Sequence, residues 1–368
     1  FAERRPEIAD APNAAARKRL IKALKHEDPA LHRAFLAELR RADGEIRLLR
    51  DSGHYPLCGR GDINVYAVFA ELNRALLGPE GRAGFIVPSG IATDDTTKVY
   101  FSTLVETRTL ASLYHFENED RIFPNVHHAF RFVLLTLDRS GRSDIADLLF
   151  FARREGDLSE PERHFSLTAS DFALLNPNTR TCPIFRSGAA AELTKAIHRR
   201  VPVLIREADS DHPECNPWRL SFMRMFDMAN DSHLFRDTDG SNLLPLYEAK
   251  MIHQFDHRFG SYEGQTLAGQ NQGKLPELDA VAHADPWYAT QPRYWVATTD
   301  VEARLQERWP YRWLLGWRDI TGTEKSRTVI AAVIPRVAVN DKFLLMMPST
   351  DPASVAALCA NLVPRTLS

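Results

Sequence analysis

The run Ala83-Gly84-Phe85-Ile86-Val87-Pro88 is apolar without a break and is bounded by turn residues, with Gly78-Pro79 and Gly81 before it. A short continuous apolar run of this kind reads as a strand buried on both faces. Such a strand needs cover on each side, and its flanks supply candidates. Before it lies INVYAVFAELNRALL, a helix with Asp62 as its expected N-cap and Val65, Phe69, Leu72 and Leu76 along its apolar face. After it come a helix over 96–106 and three further strands, LASLYHF (110–116), FRFVLLTL (130–137) and ADLLFFA (146–152). Helix, strand, helix, strand, strand is the order of an α/β fold, here the second half of a doubly wound sheet.

The rest of the chain has a different texture. Residues 12–50 read as helix, broken at Asp28-Pro29. The second of the two helices carries Phe35, Leu36, Leu39, Ile46 and Leu49 along one face. The stretch 164–185 is turn-rich, and a helix follows over 189–200. Beyond it, short candidate strands alternate with loops: RLSFMRMFDM, YEAKMIHQFDHRF, RYWVA, RTVIAAVIP and FLLMM. The Gly/Gln/Asp-rich segment 260–293 reads as a long loop. The expected organisation is a helical segment at 1–52, a half-sheet at 53–155, a linker and helix at 156–200, and an α+β domain at 201–368.

Composition limits the function classes. The 368 residues carry 46 basic and 48 acidic side chains, for a formal net charge of −2. This argues against a generally basic nucleic-acid binder, but leaves room for a local basic face. Nine of the basic residues are lysine, which leaves 37 arginines. No stretch is long and apolar enough for a membrane span, and FAERRPEIAD has no apolar core of a secretory signal. That start lacks an initiator Met, so a fragment or processed product is expected. Cys58, Cys182, Cys215 and Cys359 show no CxxC spacing, which argues against a disulfide framework and for a reducing cytoplasm.

Several local patterns point only weakly to chemistry. Asn176-Pro177-Asn178-Thr179 lacks the second Pro and the aromatic of an amino-methyltransferase loop and reads as a turn. Glu248-Ala249-Lys250 has the E-x-K spacing of metal-dependent nucleases, without a convincing upstream Asp. His253, Asp256 and His257 have metal-ligand chemistry, but structural or DNA-contacting roles are the simpler reading. The run Lys250, His253, Gln254, Asp256, His257, Arg258 mixes hydrogen-bond donors with Phe255, a composition suited to base edges and phosphates.

The segment 61–137 is more specific. Asn64, Tyr66 and Phe69 resemble an N-[IL]-Y-x-x-F helix, with Val65 in place of Ile or Leu, and Gly81 to Pro88 match a G-x-x-x-F-[IV]-x-P strand. Phe123-Pro124 before the strand 130–137 matches an F-P…strand element. In order and separation these resemble the later half of a gamma-class N6-adenine DNA methyltransferase. FAERRPEIAD, NPNTRTCPIFRS, YEAKMIHQFDHRF, PRYW and WLLGWRDIT resemble stretches of type IIG (bifunctional) restriction-modification methylases and related phage-defence methylases. The resemblance implies a partner, double-stranded DNA, and a target-recognition domain in the second half. It implies methyl transfer from S-adenosylmethionine to adenine N6 in a larger parent. Phe123, Tyr66, Phe69 and Pro88 would wall a pocket for the flipped base. Lys250, His253, Gln254, His257 and Arg258 would face DNA. Neither the cofactor loop nor the Asn/Asp-Pro-Pro-aromatic loop occurs in this chain, so no catalytic residue is assigned and no cofactor is expected for the chain alone. The rival reading is a non-catalytic, sequence-specific DNA-binding module; the weaker one is a nuclease using Glu248 and Lys250. The oligomeric state is left open.

Overall fold

A computed structural model describes residues 1–362 except 2, 12, 13, 141–143, 211 and 322–328. The chain forms two compact units, Phe1–Val203 and Leu204–Ser368.

The first unit begins with α1 (Pro6–Ala9), α2 (Ala14–Glu27) and α3 (Pro29–Asp51). The break between α2 and α3 falls where the sequence places it. The Asp28 carboxylate accepts the Leu31 N–H at 2.9 Å, and Pro29 occupies the first turn, where a missing N–H costs nothing. Ile8, Leu24 and Leu31 pack the three helices together. The apolar face assigned to α3 is not the buried one, since Leu36, Leu39 and Ile46 are exposed.

α4 (Val65–Leu76) departs from expectation in two ways. Its cap is Asn64 rather than Asp62, the Asn64 side chain accepting the Tyr66 N–H. It also buries the other face. Val65 and Leu76 are about three-quarters exposed and Phe69 half exposed, whereas Ala67, Val68, Ala70 and Glu71 are buried. The cause is a polar anchor. The Glu71 carboxylate accepts the N–H groups of Leu57 at 3.0 Å and Cys58 at 2.8 Å, and the small Ala67 and Ala70 let the helix lie close to the sheet. Charged hydrogen bonds to two buried amides outweigh a modest apolar stripe.

The sheet contains β1 (Arg82–Pro88), β2 (Leu110–Glu117), β3 (Arg131–Asp138), β4 (Ile145–Ala152) and β5 (Phe165–Thr168), in the order β1-β3-β2-β4-β5. β3 runs antiparallel to both β1 and β2; β2 and β4 are parallel; β5 is antiparallel to β4. The mixed α/β character is as expected, and the described helices packed on this sheet gather on one side of it. α5 (Gly90–Thr93), α6 (Lys98–Glu106), α7 (Ala169–Leu175) and α8 (Gly188–Arg200), together with α4, contribute to one core on one face of the sheet. Alternation sends Leu113, Val133, Leu135 and Leu148 to that face. The opposite face carries only a small cluster of Phe116, Leu149 and Ala152 with Tyr114, Phe132 and Leu134. The reason lies in the connections: no α-helix lies between β2 and β3 or between β3 and β4, so none crosses that face among the described residues. β5 and α7 also replace the turn-rich reading of 164–185. Thr168 and Asp171 form a reciprocal capping box that starts α7.

The second unit holds β6 (Leu220–Met223), β7 (Leu243–Tyr247), α9 (Leu267–Asn271), α10 (Ala280–Ala284), β8 (Trp295–Ala297), α11 (Thr298–Leu305), β9 (Trp313–Arg318), β10 (Ala331–Pro335), β11 (Ala338–Val339), β12 (Phe343–Pro348) and α12 (Pro352–Asn361). They form two sheets, β10-β9-β12-β6 and β11-β7-β8, around Phe226, Leu246, Trp309 and Phe343. YEAKMIHQFDHRF is not a strand. Its first residue ends β7, and the rest forms a 3-10 turn at Ala249–Met251 and a tight turn at 253–256. The long loop expected at 260–293 contains two single-turn helices, α9 and α10. No helix among the described residues is long and apolar enough to cross a membrane.

The Glu71 anchor is directly testable. Glu71→Ala strands two buried amide donors and should lower unfolding stability by about 2–4 kcal/mol. Glu71→Gln keeps one acceptor and should lose less. Urea unfolding of both variants checks the order; equal, small losses would remove Glu71 from its anchoring role.

Candidate functional site

β1, β2 and β4 point the same way, so their carboxyl ends and the amino end of β3 meet at one end of the sheet. Ligands of α/β sheets sit beyond the carboxyl ends of the strands. Pro88 closes β1 there, paired across the ladder with Phe132, and the Ser89 N–H donates to the Arg131 carbonyl at 3.1 Å. Phe132 stacks on Phe116 with ring centroids 5.2 Å apart. Phe123 packs edge-on against Phe132 at 5.0 Å, with 37 % of its surface exposed. Tyr66, in the first turn of α4, reaches the same end: its hydroxyl lies against Gly90 and near Asp94. Burial, then the Asp94 charge, raises the Tyr66 pKa, so the hydroxyl stays a neutral donor. Phe69, one turn further along α4, is half exposed and packs on none of these rings.

Asn118, which sequence reasoning passed over, holds this end together. It is fully buried. Its amide donates to the carbonyls of Phe123 and Val126 at 3.0 Å each, and its oxygen accepts the Phe123 N–H at 2.9 Å. One side chain thereby shapes the loop that presents Phe123.

At the ends of β2 and β4 lies a cavity of about 470 Å³. Its walls are strongly charged. Arg153 bonds Glu117 at 2.9 Å, Arg154 bonds Asp120 at 2.8 Å, and Arg163 lies 3.4 Å from Asp157. The Arg153 N–H bonds the Asp157 carboxylate and is the first of several causes that hold its pKa below the usual range. The apolar part of the wall is Phe150 and Phe151. Phe151 has φ +61°, a left-handed conformation that costs a non-glycine residue roughly 1–2 kcal/mol. The β2–β4 register shifts at this point, and the Phe151 N–H donates to the His115 ring nitrogen Nδ1 at 3.3 Å. His115 is 2 % exposed. Burial, followed by the nearby Arg131, pushes its pKa down to about 4, so the ring accepts this bond as a neutral imidazole. No local pattern in the sequence marks His115, Phe151 or Asn118, because each acts through residues far along the chain.

In the second unit, Lys250 lies 3.3 Å from Glu248 and 5.0 Å from the centre of the Tyr262 ring, and the Tyr262 hydroxyl donates to the same carboxylate. Glu248 is thus a hydrogen-bonded structural carboxylate. Among the described residues no group of three His, Cys, Asp or Glu stands ready to hold a metal ion. His253 and Asp256 pair backbone to backbone around a tight turn, and the His253 ring lies on Phe259 at 4.7 Å. Gln254 is buried. Burial, then Arg258, lowers the His257 pKa. Arg258 donates to the carbonyls of Asp285 at 2.8 Å and His283 at 3.0 Å, an internal brace. The solvent-facing member of the turn is Phe255, 74 % exposed and left-handed at φ +61°.

No protein-family model matches the chain, and no curated protein matches it. Solved structures do. The type IIL restriction-modification enzyme MmeI, in complex with DNA, matches at 10 % identity and TM-score 0.43, over 85 % of this chain and 39 % of that one. The type IIG restriction endonuclease BpuSI matches at 14 % identity and TM-score 0.32, over 89 % and 41 %. A DrdV–DNA complex matches at 10 % identity and TM-score 0.32, over 88 % and 36 %. The chain spans less than half the length of each.

The buried imidazole makes stability depend on pH. In the unfolded chain His115 titrates near 6.5 and in the folded chain near 4. Its stabilising contribution is therefore complete above pH 6.5 and is lost as pH falls toward 4, by at most about 3 kcal/mol. His115→Gln, which cannot take a proton there, should flatten the pH dependence of the denaturation midpoint between pH 4 and 6.5. An unchanged slope would show that other groups govern acid stability.

Proposed function

We propose that the chain is part of a type IIG-like, adenine-specific DNA methyltransferase of a restriction-modification or phage-defence system. In this reading the first unit supplies one wall of the pocket for a flipped adenine, and the second is the target-recognition domain. The single observation that supports it most is the convergence of Tyr66, Pro88 and Phe123, from three separate elements, on the carboxyl end of the sheet. An extruded base needs an aromatic face to replace the stacking it loses. Phe123 offers a part-exposed ring on a loop fixed by Asn118, and Pro124 keeps its backbone extended.

Methyl transfer needs S-adenosylmethionine, and the residues present do not suit it. At the end of β1, Gly90 is closed off by the Asp94 carboxylate and the Tyr66 hydroxyl, leaving no cradle. The neighbouring cavity is lined by Arg153, Arg154, Arg163 and Arg186 against Glu117, Asp120 and Asp157, a surplus of one positive charge that disfavours a sulfonium and an ammonium. No step through the cofactor is therefore assigned to this chain. The same mismatch favours, as second reading, a non-catalytic DNA-binding module.

Calorimetry with S-adenosylmethionine should show no dissociation constant in the low micromolar range or tighter; such binding would place a cofactor site in this chain after all. For the pocket, Phe123→Ala should weaken binding to a duplex with a mismatched, easily flipped adenine roughly 5- to 150-fold, the equivalent of about 1–3 kcal/mol of lost stacking. Affinity for a matched duplex should change less, and the melting temperature little. A large drop in melting temperature with unaltered preference for the mismatch would make Phe123 an ordinary core residue.

A further inference from the structure

The cavity at the ends of β2 and β4 has no part in the base pocket or in the recognition domain. We propose that it is a phosphate-ester site in which Arg186 is the principal ligand. Three of its arginines are matched by carboxylates: Arg153 by Glu117, Arg154 by Asp120 and Arg163 by Asp157. Arg186 is the surplus charge. Its guanidinium lies over the Phe151 ring at 4.6 Å, and no carboxylate among the described residues pairs with it.

That placement matters chemically. A guanidinium held over a ring face spends none of its five N–H donors on that contact, so they stay free for a planar, bidentate acceptor. A phosphate oxygen pair is such an acceptor. Phe151 provides the platform only because its backbone is left-handed at the register shift, where His115 takes up its N–H. Strain of this kind, held by a buried partner, is found where a side chain has been placed for a task. The volume, about 470 Å³, is in the range of small-molecule sites and admits a nucleotide unit as well as a bare phosphate. The ester then comes either from the DNA backbone or from a free nucleotide. This inference does not require that the chain be a methyltransferase.

The test uses the whole chain. A fluorescent duplex is titrated at several salt concentrations with the wild type, with Arg186→Gln, and with Arg108→Gln. Arg108 pairs with Asp144 at the opposite end of the sheet and serves as control. In parallel, the melting temperature of each is recorded with and without deoxyadenosine monophosphate. Arg186 makes no described hydrogen bond, so its variant should melt like the wild type. If the site grips the DNA backbone, Arg186→Gln lowers the slope of log K against log salt by about 0.9 and weakens binding roughly eightfold at 0.1 M salt. Arg108→Gln does neither. If it takes a free nucleotide, the duplex titrations are unchanged, and the monophosphate raises the melting temperature of the wild type but not of Arg186→Gln. Duplex binding and a nucleotide response that are both insensitive to Arg186 overturn the proposal while leaving DNA binding intact. Absence of both responses in the wild type overturns the proposal and the DNA-binding reading together.

Discussion

The first unit is registered on β3. That strand is hydrogen-bonded on both edges and antiparallel to both neighbours, so it inserts between two strands that point the opposite way. Its alternating residues serve both faces, Val133, Leu135 and Leu137 toward the helices and Phe132 and Leu134 toward the other side. A shift of one residue would exchange these sets and bury Thr136 in the main core. Because that register is fixed, Phe132 stands between Pro88 and Phe116, and the ring of Phe123 has a partner to lean on. The geometry at the carboxyl end follows from the pairing of a strand far from any reactive group.

Much of this unit was legible in the residues. The strands at 82–88, 110–117, 131–138 and 145–152 lie within a residue or so of the apolar runs that announced them, because continuous β-branched and aromatic runs have few alternatives. What was not legible is the set of features decided by partners distant in sequence. Helix α4 has a regular apolar stripe, and the stripe faces outward because Glu71 is pulled inward by two amides of the loop before it. A pattern argument weighs side chains by hydrophobicity and has no access to an amide that arrives from another segment. The second unit shows the same limit. Pro245 disguises β7 as a non-strand, since proline removes a ladder donor, yet it pairs with Trp295 in the sheet. Conversely, the alternation in YEAKMIHQFDHRF resembles a strand until the backbone pairing of His253 with Asp256 folds it into a turn.

The candidate site divides along the same line. Tyr66, Pro88 and Phe123 belong to ordered local motifs and could be named from the sequence. Asn118, His115, Phe151 and Arg186 could not, though they set the shape of the loop and of the cavity. Each is a lone polar or aromatic residue whose meaning comes from one contact: a carbonyl pair for Asn118, a strained amide for His115, a ring face for Arg186. In the second unit the structure also redistributes roles. Arg258, the most obvious phosphate donor in its run, is engaged by carbonyls, while Phe255 stands exposed at the tip of the turn.

Charge explains why so few groups need be exposed for an anionic partner. With 46 basic residues against 48 acidic, the chain has no net field to draw a polyanion from a distance, and at physiological salt such a field would decay within about 8 Å. Any affinity for phosphate must therefore be built from contacts. Arginines already held by carboxylates keep their positions before a ligand arrives, so little side-chain entropy remains to be lost on binding, but the carboxylates also lower the local potential. An unmatched guanidinium held by an aromatic ring escapes that compromise. It is as well positioned as its paired neighbours and carries its full charge, which makes Arg186 the residue at this end of the sheet where an approaching phosphate gains most.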